Sequence, residues 1–286
     1  MADAAKVPSY LGPRTPVPNG TIQGGWNGLP REAFKPCRGV HARKFEAAQL
    51  FGSHDIFAGL PLRPLDVGPN WGQHPKLYAQ LISQLQPSLV VEVGVWKGAT
   101  SIAFAEGVQR LDRGGVVVSI DTWTGAAEFW PQGAASGTRA VGGTRDLHLV
   151  NGMPTVYNTF LSNVVRRNLS KVVVPFPVPS LVAAEVFRRE RWRPELVHVD
   201  ASHSEADVAT DLAAWWPLLR EGGVLLGDDY DAIHWRGLVR AVDGFIAAHN
   251  LTLEMYGLKW LVRKACRAAP THGGTRRARR RAARAP

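Results

Sequence analysis

The sequence predicts an α/β fold: a doubly wound, mostly parallel sheet of seven strands that ends in an antiparallel terminal strand pair. Three observations carry this. Short, continuous apolar runs alternate with helix-length segments, the pattern of strands buried on both faces between crossover helices. The last two runs, LTLEMY and LKWLVRK, are separated only by Gly257, as in a hairpin. Polar residues with chemical potential collect where the apolar runs end, which is where an open parallel sheet binds its ligands.

The elements follow in order. KLYAQLISQLQ, from about residue 75, reads as a helix stopped by Pro87. SLVVEV (88–93) is a buried strand, GATSIAFAEGVQRL (98–111) a helix and GVVVSID (115–121) a second strand. The Gly-rich, Trp-containing stretch 122–152 is too long for a simple connection and reads as a lid. TVYNTFLSNVVRRN (155–168) is a helix, KVVVPFP (171–177) a strand, LVAAEVFRRE (181–190) a helix and ELVHVD (195–200) a strand. SEADVATDLAAWWPLL (204–219) is a helix with Ser204 placed to cap it. VLLGDD (224–229) is the next strand, and a helix over roughly 235–249 leads into the hairpin.

Three segments result: a Pro- and Gly-rich arm with accessory residues (1–74), a catalytic-type domain (75–264) and a basic tail (265–286). With 45% hydrophobic and 20% charged residues, wholesale disorder is excluded. No run approaches the roughly 18 apolar residues of a membrane span, and the N-terminus has no apolar signal-peptide core. Two cysteines, Cys37 and Cys266, exclude a disulfide scaffold or a cysteine zinc site, so the expected compartment is cytoplasmic. The net charge of +10 is almost all in the tail: residues 263–286 hold nine of the 34 Lys and Arg and no acid. The folded body is near neutral and gives no reason to expect nucleic acid. The tail could bind RNA, an acidic membrane surface or an import receptor, and is otherwise a solvated, disordered end.

The strand ends carry the chemistry. The first ends in VEVGVWKGATS, with Glu92 before Gly94 and Gly98 four residues on. Neither the dinucleotide G-x-G-x-x-G nor the P-loop G-K-[ST] is present. The spacing suits a loop whose glycines let backbone approach a ligand, with a carboxylate near a cationic group and Thr100 and Ser101 in the first turn beyond. Asp121, ending the second strand, can accept hydrogen bonds from a ribose diol, and Trp123 is placed either to stack on a nucleoside or to serve as a lid or core aromatic. Ser180 lies beyond the third strand. Asp200, Asp228 and Asp229 end two strands expected to be neighbours. Three clustered carboxylates repel unless a cation is present, and a hard ion such as Mg²⁺ takes oxygen ligands. His203, three residues after Asp200, should look over the same edge and could accept a proton near neutral pH.

In this order, VVEVGVWKGATS, VVSIDTW, ELVHVDASHSEADVATDLAAWWPLLREGGVLLGDDY and WRGLVRAVDGF resemble the Rossmann-like class I methyltransferases that include macrocin-type sugar O-methyltransferases and cephalosporin hydroxylase-like proteins. The chain is more distantly similar to the catechol O-methyltransferase group. The resemblance covers about residues 75–264. It implies S-adenosyl-L-methionine (SAM) at Glu92, Gly94, Gly98 and Asp121; Thr100, Ser101, Trp123, Ser180 and Asp200 complete the expected cofactor-binding set. It implies Mg²⁺ at Asp200, Asp228 and Asp229, and a small hydroxylated acceptor. Catechol-type enzymes carry a lysine where this chain has His203; the macrocin-like ones carry histidine there. The expected activity is metal-assisted O-methylation with His203 as base. The alternatives are metal-independent methyl transfer, or an RNA- or membrane-associated protein that binds through its tail. The sequence leaves the acceptor's identity and the oligomeric state open.

Overall fold

A computed structural model describes residues 22–23, 37, 43–68, 75–130 and 146–266. Most of the arm, the middle of the lid segment and the tail from residue 267 lie outside the described residues, and so do the expectations made for them.

The strands are β1 (Ile22–Gln23), β2 (Leu89–Val93), β3 (Val116–Ile120), β4 (Val173–Phe176), β5 (Leu196–Val199), β6 (Val224–Gly227), β7 (Glu254–Tyr256) and β8 (Lys259–Arg263). They form one sheet in the order β1-β7-β8-β6-β5-β2-β3-β4. All neighbouring pairs are parallel except the two made by β8. The seven expected strands are all present, and the terminal pair β7–β8 is antiparallel. The eighth strand is an addition: the arm contributes β1, which runs parallel to β7 with Ile22 opposite Glu254. Two residues without periodic context give no strand signal in sequence.

The helices are α1 (Ala48–Phe51), α2 (Pro75–Leu85), α3 (Ala99–Leu111), α4 (Val156–Arg166), α5 (Ser180–Glu190), α6 (Glu205–Trp215) and α7 (Arg236–His249). Ser204 caps α6, its Oγ accepting from Asp207 N at 3.1 Å. Strand residues alternate between two cores, as the two-residue period of a strand requires. Val91, Val93, Val197, Val199 and Leu225 pack with α5–α7. Val90, Leu196, Val224, Leu226 and Leu261 pack with α2–α4. Both faces of the sheet are therefore covered, and ligands are left the carboxyl edge.

The segment between α1 and α2 lies on α4 and on the loop after β2. Arg63 donates to Thr155 O, Thr155 Oγ1 and Thr159 Oγ1, each at 3.1 Å. Asn163 Nδ2 donates to Asp66 O at 2.7 Å and to Lys97 O at 2.8 Å, while buried Lys97 pairs with Asp66 at 2.7 Å.

One expectation is corrected. Cys37 and Cys266 are disulfide-bonded, their Cα atoms 5.6 Å apart across 229 residues of sequence. The arm pairs with β7 through β1, on the same side of the sheet as β8 and the chain beyond it. Two distant cysteines do not reveal such a meeting in sequence. The low cysteine count, one ground for the cytoplasmic expectation, therefore no longer speaks for a reducing compartment. Among the described residues no helix is long and apolar enough to cross a membrane.

Candidate active site

The chain leaves β2 for β3 on one side and returns to β5 on the other, so the gap between the ends of β2 and β5 is the topological switch point. Gly94 sits there with φ +85°, and a Cβ on it would lie 2.1 Å from Asp200 O. Gly98, with φ +88°, has the Phe160 ring where its Cβ would be, 2.4 Å away. Both glycines are thus required by the packing of the protein itself, ahead of any ligand. Asp121 holds the loop between them. Its Oδ2 accepts from Val95 N at 2.8 Å and Trp96 N at 2.9 Å, and its Oδ1 accepts from Trp123 N at 2.7 Å. A carboxylate has about four acceptor positions, so capacity remains on Oδ1 for one further donor such as a ribose hydroxyl.

Other candidates are placed differently from their expected roles. Glu92 is 1% exposed and faces the α2–α4 core, in register with buried His198 on β5. It accepts from Ser101 Oγ and lies 3.3 Å from His198 Nδ1. Ser101, fully buried, also meets Ser119 at 2.7 Å. These residues tie β2, β3, β5 and α3 together and do not open on the sheet edge. Trp123 is buried: its Nε1 donates to Trp96 O at 2.8 Å, and its ring stacks on Phe160 with centroids 5.0 Å apart. It is a core aromatic beneath the loop. Ser180 donates to Asp211 Oδ1 and accepts from Trp215 Nε1 at 2.9 Å, joining α5 to α6. Thr100 lies buried in the first turn of α3.

Two of the three acids, Asp200 and Asp229, come together with His203. Val199 is in register with Gly227, so Asp200 and Asp228 leave neighbouring strands side by side. Asp229 follows with φ +58°. Donor atoms of Asp200, His203 and Asp229 all lie within 4.8 Å of one another. His203 Nε2 is 3.0 Å from Asp229 Oδ2. Burial, and next the Asp228 charge, push the Asp200 carboxyl well above the usual carboxylate range. Asp228 is turned elsewhere: it pairs with Lys259 through Oδ2 and accepts from Asp229 N through Oδ1 at 2.8 Å. Burial raises the Asp228 carboxyl, but the Lys259 ammonium outweighs this and holds it below the ordinary value.

Two residues here were not among the sequence candidates. Trp235, just before α7, stacks on His203 with centroids 3.7 Å apart and planes 18° from parallel. Lys259 is 4% exposed. A lysine inside an apolar terminal strand is a sequence signal for a buried charge, but its partner is not legible there.

Residues 91–230 match a family model described as a methyltransferase domain. No curated protein matches the sequence. Among solved structures, the chain is similar to an O-methyltransferase from Bacillus cereus in complex with SAH: 17% identity, 73% of this chain and 87% of that one, TM-score 0.48. It is also similar to the O-methyltransferase TomG from Streptomyces achromogenes in complex with SAM: 16% identity, 78% and 92%, TM-score 0.49. A third is CalS11, a calicheamicin methyltransferase: 17% identity, 84% and 98%, TM-score 0.49. The family match spans the glycine loop, Asp121, Asp200, His203 and the acid pair, on a sheet whose one reversed main strand is β8. Over residues 91–230 the chain is thus similar to a methyltransferase domain.

Proposed function

We propose that the protein methylates a hydroxyl of a small molecule, a sugar-containing metabolite or another polyol, with a divalent cation such as Mg²⁺ at the edge of β5 and β6. The observation that carries this reading is the meeting of Asp200, His203 and Asp229 within 4.8 Å, beside the bare Cα of Gly94. The two carboxylates fit a hard cation, which takes oxygen ligands. Asp200 and Asp229 would hold the ion, with Asp228 beside them. Bound there, a divalent cation would orient acceptor oxygens and make a hydroxyl proton easier to remove.

The remaining work falls to the chain. SAM, when bound, would supply the methyl group to the acceptor oxygen and leave as the neutral thioether. The hydroxyl proton passes to the imidazole of His203. Asp229 and the stacked Trp235 fix that ring, so the base is oriented before the acceptor arrives. Asp121 and the two glycines hold the loop against which SAM binds.

The test is a methyl-transfer screen with labelled SAM over sugar, polyol and catechol acceptors, with Mg²⁺ and with excess EDTA. The expected result is label on oxygen, lost in EDTA. Full turnover in EDTA would overturn the metal, and label only on nitrogen or carbon would overturn the acceptor class.

A further inference from the structure

Lys259 carries the inference. Gly227 of β6 is in register with Trp260 of β8, so Lys259 falls beside Asp228. Its side chain shares the α2–α4 face with Leu261 and is 4% exposed. The ammonium pairs with Asp228 Oδ2 and lies 5.6 Å from the ring centroid of Tyr78, a fully buried residue of α2. It is held between the sheet and α2. An ammonium so held is a fixed positive charge at the base of the acid cluster.

We propose that Lys259 is a positioning residue: a built-in counter-ion that competes with a divalent cation for Asp228 and so sets how tightly this site binds metal. The inference rests on the metal reading above. Three carboxylates at one sheet edge would repel one another in the metal-free chain. Lys259 offsets one of them permanently, which allows the site to fold before any ion arrives. The consequence for binding has the opposite sign. A fixed ammonium a few ångströms from an incoming dication repels it and occupies one of its donors. Lys259 thereby exchanges metal affinity for a preformed site.

The experiment is Mn²⁺ binding to the full chain, followed by electron paramagnetic resonance and calorimetry without SAM or acceptor. Lys259→Gln should bind Mn²⁺ at least about tenfold more tightly than the parent, and Lys259→Arg should restore the parent value. A role confined to packing would weaken binding or leave it unchanged, and either result in folded Lys259→Gln overturns the proposal. Asp228→Asn is the second variant, needed if Lys259→Gln does not fold. It leaves the ammonium unopposed and should weaken Mn²⁺ binding at least about tenfold; unchanged affinity overturns the proposal. Binding by Lys259→Gln alone, with none by the parent, would support the counter-ion and sink the resident metal. No binding by any variant would sink both. Binding by the parent without tightening in Lys259→Gln would sink the counter-ion alone.

Discussion

The Cα of Gly94 faces the backbone carbonyl of Asp200 so closely that a Cβ would lie 2.1 Å from that oxygen. This contact joins the glycine loop to the acid cluster at the switch point of the sheet. The residue also has φ +85°, a conformation that side chains disfavour. Gly94→Ala should therefore cost about 2–4 kcal/mol of stability, read by denaturant unfolding. Loss of SAM affinity with unchanged stability would show that the glycine is there for the ligand.

Asp121 presents a different test of the same loop. Three backbone N–H groups converge on its carboxylate. Asp121→Ala leaves them without that acceptor and frees the loop. SAM affinity should fall about 10- to 100-fold by calorimetry, corresponding to charge-assisted hydrogen bonds of about 1.5–3 kcal/mol. Amide hydrogen exchange at residues 94–97 should quicken. Unchanged affinity would remove Asp121 from the cofactor site.

Asp229 separates the two halves of the proposed reaction. Asp229→Ala should abolish the Mg²⁺-dependent part of turnover while SAM affinity stays within about twofold, because the ion serves the acceptor. Parallel loss of SAM binding would mean that the acid supports the fold of the edge.

His203 is held by Asp229 on one side and by the face of Trp235 on the other. His203→Ala should lower turnover about 10²- to 10⁴-fold with SAM and metal affinity nearly unchanged. Trp235→Ala, which loosens the ring without removing it, should give a smaller loss in turnover. If Mn²⁺ affinity falls with turnover in His203→Ala, the imidazole is a ligand and the base lies elsewhere.

The sequence by itself determined the sheet, its alternation with helices and the positions of its ends, because buried parallel strands leave continuous apolar runs that local patterning exposes. It also showed which residues could carry chemistry: Asp200, His203 and Asp229 follow the ends of two apolar runs, and the parallel pairing of β5 with β6 brings them together. Only the tertiary structure decided what each polar residue faces. Glu92 and Ser101 turn inward because strand parity and the cover of α3 put them in the α2–α4 core, and both sheet faces are buried, so a sequence does not tell inward from edge. Trp123 lies beneath the loop because Phe160 of α4 comes to meet it. Asp228 belongs to Lys259, and Cys37 to Cys266, through the register and edge position of the last strands. Those are contacts between residues 31 and 229 positions apart. Partners this distant leave no periodic trace; they are chosen by how the chain closes on itself.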